Sequence, residues 1–129
     1  MFEIKILAAD DQPIVLKSLS HILNEAGFEV HSTNNGQGAI EIFDKENPNL
    51  VIIDLYMPTK SGFDVIEYIR NEKKSKTPII IMSGITDDAT ILKAFNCGAN
   101  DYIEKPLGLN QVVLRIKKLL KLPSDFGKS

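Results

Sequence analysis

Residues 50–58 read Leu50-Val51-Ile52-Ile53-Asp54-Leu55-Tyr56-Met57-Pro58. Four consecutive apolar residues, entered from Pro48-Asn49 and left at an aspartate, describe a short strand covered on both faces. The pattern recurs on either side. Ile4 to Ala9 ends in the pair Asp10-Asp11, Ile79-Ile80-Ile81-Met82 ends at Ser83, and Tyr102-Ile103 is followed two residues on by Lys105. Each strand-like run therefore delivers a group able to do chemistry at its carboxyl end. In an open α/β sheet those ends share one rim, where ligands bind.

Between the runs the apolar period changes from continuous to helical. Strands are predicted near 3–9, 28–32, 50–54, 78–83 and 101–104. The first helix, 13–26, opens on Pro13, whose missing N–H costs nothing in a first turn. It carries Val15, Leu16, Leu19, Ile22, Leu23 and Ala26 on one stripe, and Gly27 stops it. The second, 36–46, turns Ala39, Ile42 and Phe43 inward but contains Gly36 and Gly38, which predicts a weak start. The third, 62–71, is capped by Ser61 and buries Phe63, Ile66 and Ile69 or near neighbours. The fourth, 87–97, is capped by Thr86, with Ile91, Leu92 and Phe95 as its apolar positions. The fifth, 109–121, has a stripe of Leu109, Val112, Val113, Ile116, Leu119 and Leu120, with Arg115, Lys117, Lys118 and Lys121 on a solvated face. Short right-handed connections then give a single α/β domain, a (βα)₅ three-layer sandwich around a parallel five-stranded sheet. The domain is expected over 1–122, with 123–129 a flexible tail or the start of a linker.

Composition excludes several classes. The chain has 129 residues, 43% of them hydrophobic and 25% charged, as in an ordinary soluble domain. A net charge of −2 offers no field for membrane or direct nucleic-acid binding. Nothing approaches the ~20 apolar residues of a membrane span, and the start MFEIKIL is no signal peptide. With Cys97 the only cysteine, a cytoplasmic protein without disulfides is expected. His21 and His31 are too few for a histidine metal site, so any metal should be held by oxygen.

Asp10, Asp11, Asp54 and Lys105 would gather on one rim with an excess of negative charge. Carboxylates this close raise one another's pKa values unless a cation joins them. All-oxygen ligands with room for water favour Mg²⁺, or Mn²⁺, over zinc. A carboxylate beside a hard metal and a lysine can attack phosphorus and carry the group as an acyl phosphate. Asp10-Asp11 as a plain helix cap is the duller reading, but a cap needs one acid and a second is costly without a partner.

In these features the chain resembles the receiver domain of two-component response regulators, the chemotaxis-type phosphoswitch. The matching pieces are Asp10-Asp11, Asp54-Leu-Tyr-Met-Pro58 with Gly62 four residues on, Ser83-Gly84, and Tyr102-Ile-Glu-Lys105-Pro106, over about residues 3–121. The resemblance implies the flavodoxin-like strand order 2-1-3-4-5. It implies that Asp54 is the phosphoacceptor and that Asp11, Asp54 and the Tyr56 backbone carbonyl bind Mg²⁺, with Asp10 acting mostly through water. It also implies that Lys105 and Ser83 bind the phosphoryl group, aided by a cis Lys105-Pro106 bond. Ser83 and Tyr102 would be the switch, altering the surface of the fourth helix, fifth strand and fifth helix. Tyr56 and Ile85 would border the path of the hydrolysing water and lengthen the phosphoryl lifetime.

The donor would be a histidine kinase or histidine phosphotransfer protein, and the reader an unknown downstream protein or output domain. Such a module is no turnover enzyme; it assists its own phosphorylation and dephosphorylation. Leu114, opposite the apolar stripe among Lys117 and Lys118, is a candidate contact for a phosphorylation-dependent homodimer or a target. Two rivals fit less well. A haloacid-dehalogenase-type phosphatase wants a second acid where Tyr56 stands, and a flavodoxin-like carrier wants a phosphate loop where the chain places two acids.

Overall fold

The structure, a computed structural model, describes residues 3–105 and 108–127. Five strand–helix units follow one another. They are β1 (Lys5–Ala9), α1 (Pro13–Glu25), β2 (Glu29–Thr33), α2 (Gly36–Glu46), β3 (Leu50–Ile53), α3 (Gly62–Glu67), β4 (Ile79–Ser83), α4 (Asp88–Cys97), β5 (Asp101–Glu104) and α5 (Leu109–Leu119). All neighbouring strands pair in parallel, in the order β2-β1-β3-β4-β5. The expected architecture and order both hold.

Because strand side chains alternate between faces, each apolar run feeds two cores. Leu7, Val51, Ile53, Ile79 and Ile81 pack beneath Ala39 and Phe43 of α2, Val65 and Ile66 of α3, Ile69 just beyond it, and Ala94 of α4. Ile6, Ala8, Leu50, Ile52, Ile80 and Met82 pack beneath Leu19, Leu23, Val112 and Ile116 of α1 and α5. The continuous hydrophobicity of β1, β3 and β4 is the direct consequence of two covered faces.

Several local expectations are corrected. Asp87, not Thr86, caps α4, accepting the Thr90 N–H at 2.9 Å. Leu92 and Phe95 are 60% and 41% exposed, because the inward stripe of α4 runs through Ala94 and Cys97 instead. The third helix is not α-helical throughout: after Glu67 it continues as a π-helical turn, Tyr68–Glu72. Val65 is fully buried, while Phe63 is only partly covered and lies under the Lys93 ammonium, 4.3 Å from its ring centroid. The start of α2 is well capped rather than weak, the Asn35 carboxamide accepting the Gly38 N–H at 2.7 Å.

As far as residue 127, the segment after α5 lies against the domain. Phe126 stacks on Phe28 with ring centroids 5.3 Å apart. Lys117, expected on a solvated face, is buried under this segment and donates to the Ser124 carbonyl at 2.9 Å. Among the described residues no helix is long and apolar enough to cross a membrane.

Candidate functional site

Parallel pairing brings the carboxyl ends of β1, β3, β4 and β5 onto one edge. The Asp10 N–H continues the ladder to the Thr33 carbonyl at 3.2 Å, the Asp54 N–H to Ala9 at 3.0 Å, and the Lys105 N–H to Ser83 at 2.8 Å. These bonds fix where each side chain leaves the backbone. Carboxylate oxygens of Asp10, Asp11 and Asp54 consequently lie within 4.8 Å of one another. Asp10 is 1% exposed, Asp54 is largely buried, and Asp11 is open to solvent.

Lys105 answers this charge. Its Nζ donates to Asp10 Oδ2 at 2.5 Å and Asp54 Oδ2 at 3.0 Å. A third bond reaches Gln12 Oε1 at 3.1 Å. The other oxygen of Asp54, Oδ1, accepts the Leu55 N–H at 2.7 Å. Burial pushes the Asp54 carboxyl above the ordinary aspartate range, and the Asp10 charge adds to this. Lys105 and the Leu55 N–H oppose the rise without cancelling it. For Lys105, burial works to lower the ammonium pKa, but the two carboxylates together outweigh it and the net direction is upward.

An open cavity of about 580 Å³ sits over this edge, lined by Asp11, Asp54, Tyr56, Ser83, Ile85 and Lys105 among others. Ser83 is 1% exposed, and its hydroxyl accepts the Ile85 N–H at 3.1 Å. Tyr102 lies behind it on β5, donating its phenol to the Ile85 carbonyl at 2.6 Å. Burial raises the Tyr102 phenol pKa, so it stays a donor. Leu114 and Lys118 are exposed on α5, outside this site. Pro106, and with it the expected cis bond, lies outside the described residues.

The donor set suits a hard divalent ion. Three clustered carboxylates with one exposed member leave negative charge that a single ammonium does not balance. Gln12 was missed in the sequence. Its place directly after two acids marked it as a neighbour, but nothing in its type distinguished it from a turn residue.

A doubly wound parallel sheet with an acidic pocket and a lysine at its carboxyl rim defines a narrow class of α/β domains. The family model for the response regulator receiver domain matches residues 6–117, and the chain belongs to that family. It is 34% identical over 120 residues to the Regulatory protein AtoC of Escherichia coli, covering 93% of this chain and 26% of that protein. To the Response regulator RR06 of Streptococcus pneumoniae it is 35% identical over 116 residues, covering 90% and 52%. The chain thus spans about half, or less, of these relatives' length. Among solved structures, a two-component response regulator from Clostridium difficile superimposes with a TM-score of 0.87 at 28% identity, covering 92% of this chain and 97% of that one.

Proposed function

We propose that this receiver domain is a phosphorylation switch that accepts a phosphoryl group on Asp54 from a histidine kinase or histidine phosphotransfer protein. The observation that carries the reading is Lys105 Nζ joining Asp10 and Asp54 within an acidic cluster open to solvent. In the transfer, a carboxylate oxygen of Asp54 attacks phosphorus. The P–N bond to the donor imidazole breaks, and its electron pair returns to that ring. Lys105 neutralises oxygens of the arriving group, and the Ser83 hydroxyl donates to one of them.

Asp10, Asp11, Asp54 and the Tyr56 carbonyl are the residues that would hold Mg²⁺ or Mn²⁺. A bound ion supplies positive charge against the negative charge developing on the phosphoryl oxygens. Hydrolysis is the reverse in outcome: water attacks phosphorus, the P–O bond to Asp54 breaks, and inorganic phosphate leaves with the carboxylate restored.

The readout is a changed surface on α4, β5 and α5. Leu92, Phe95 and Leu114 support it, being large apolar residues left exposed on α4 and α5, with Lys118 also exposed on α5. Lys117 no longer belongs to that surface. A downstream protein, an output domain or a second copy would read it, in the cytoplasm. The test is labelling with acetyl phosphate: it should require Mg²⁺ or Mn²⁺ and vanish in Asp54→Asn. Labelling that survives that substitution, or needs no divalent ion, overturns the reading.

A further inference from the structure

The two glycines that open α2 have a use the acceptor chemistry does not account for. A helix leaves its first N–H groups without intrahelical partners. Here the Gly36 N–H donates to the Pro58 carbonyl at 3.1 Å. The Gln37 N–H donates to Thr59 Oγ1 at 2.9 Å. Both acceptors belong to the loop that follows Asp54. The Thr59 hydroxyl in turn donates to Asn35 Oδ1 at 3.3 Å, the same oxygen that takes the Gly38 N–H. The end of α2 is therefore capped by its own Asn35 and by a loop from another strand.

The fit leaves no slack. A Cβ on Gly36 would lie 1.9 Å from the Lys60 carbonyl oxygen. At the far end of the loop, a Cβ on Gly62 would lie 2.4 Å from the Asp54 carbonyl oxygen. Between these contacts Thr59 sits at φ 71°, a left-handed conformation that a β-branched residue rarely adopts. Such strain persists where the surroundings over-determine it, and it collects at functional sites.

We infer that the amino end of α2 is a socket that holds the Asp54–Thr59 loop, and that Thr59 and Asn35 are positioning residues for the backbone carbonyl of Tyr56 toward a divalent cation. Thr59 touches no reacting atom; it acts through the loop. The inference rests on the metal-dependent reading above. By linkage, if the socket favours cation binding, the cation must favour the socket to the same degree.

The experiment titrates Mg²⁺ alone, and Mn²⁺ alone, into the wild type, Thr59→Val and Thr59→Ser, by calorimetry and by amide hydrogen exchange. Thr59→Val removes the hydroxyl and keeps the branched shape. It should bind Mg²⁺ about tenfold more weakly, the lower end of the loss seen when outer-shell support is removed from a metal site. Thr59→Ser should restore the affinity. In the wild type, Mg²⁺ should slow exchange of the Gln37 amide, and in Thr59→Val it should not. Equal affinity in Thr59→Val, or a Gln37 amide indifferent to bound Mg²⁺, overturns the inference. A thermal melt of each variant separates weaker binding from lost folding, since the serine rescue and the Gln37 response are read on folded protein. A wild type that binds neither ion refutes the metal-dependent reading itself, a different result from wild-type binding that Thr59→Val reproduces.

Discussion

Ser83 and Tyr102 hold Ile85 from its two sides: the serine hydroxyl accepts its N–H at 3.1 Å and the tyrosine phenol donates to its carbonyl at 2.6 Å. A hydroxyl that accepts one bond keeps its own proton for another. Ser83 can therefore face a phosphoryl group while remaining tied to Ile85, and Tyr102 receives any movement through the same residue. Each hydrogen bond should be worth about 1 kcal/mol in stability. Ser83→Ala and Tyr102→Phe are expected to cost roughly that much singly and clearly less than the sum together, since both act through one residue. Urea unfolding of the four proteins measures the coupling. Strict additivity would show that the two side chains are independent.

Lys105 stands between two carboxylates, one of them almost wholly buried. Removing the cation leaves the buried Asp10 charge without a counter-ion, held only by the Gln12 N–H at 2.9 Å. Lys105→Ala should lose about 3 kcal/mol of stability, as when one member of a buried pair is deleted. The same change removes the ammonium that competes with a divalent ion. Mg²⁺ should then bind Lys105→Ala more tightly than the wild type and restore more of its stability, while acetyl-phosphate labelling slows. Equal stabilisation of both proteins by Mg²⁺ would contradict this account.

Burial, helped by the Asp10 charge, holds the Asp54 carboxyl above the ordinary aspartate range, and Lys105 and the Leu55 N–H oppose that rise without cancelling it. A group whose pKa rises on folding contributes stability that is full below its unfolded pKa. That contribution is lost as pH rises through the folded value. At pH 7 the wild type therefore carries a penalty that Asp54→Asn lacks. The variant should melt a few degrees higher in chelator. The gap should close in two ways: on adding Mg²⁺ at pH 7, and on acidifying through the raised Asp54 pKa. On the proposed reading the Asp54 carboxylate is the nucleophile, so labelling of the wild type should fall over that same acid window. Thermal melts across pH, with and without Mg²⁺, check the sign.

Strand-end chemistry was legible because continuous apolar runs such as Leu50–Ile53 admit one reading, a strand covered twice, and the polar residue that ends each run is then placed by topology. What escaped was set by contacts between distant segments. Gly36 read as a helix weakness, and only the approach of Lys60 shows why no larger residue fits. Lys117 read as a solvated lysine because its helical phase says nothing about a returning segment that buries it. Ile91, Leu92 and Phe95 read as the apolar positions of α4, but periodicity does not give the rotation of the helix on the sheet, which the burial of Ala94 settles, leaving Leu92 and Phe95 exposed. Arg70 drew no notice at all. Its guanidinium donates to the carbonyls of Ser75, Thr77 and Gly98 and to Asn100 Oδ1, clamping the approach to β4 against the loop before β5. No local pattern announces a cation whose partners are backbone carbonyls.

Tyr56 and Ile85 face the cavity at Asp54 from opposite loops. Tyr56 is 56% exposed and Ile85 is partly buried, and on the proposed reading these two bulky side chains would border the path of water to a phosphoryl group on Asp54. Hydrolysis needs a water aligned with the P–O bond to Asp54, and side chains that offer no well-placed hydrogen bond make that alignment rare. Ile85→Ala opens the path without touching the Ile85 N–H and carbonyl, so the bonds to Ser83 and Tyr102 survive. Tyr56→Asn exchanges the ring for a short amide able to hold water. Each change should shorten the phosphoryl lifetime severalfold, corresponding to about 1 kcal/mol of barrier, with Mg²⁺ affinity unchanged. Decay of ³²P-labelled protein after removal of the donor gives the rate directly. Unaltered decay in both variants would mean that the water reaches phosphorus by another route.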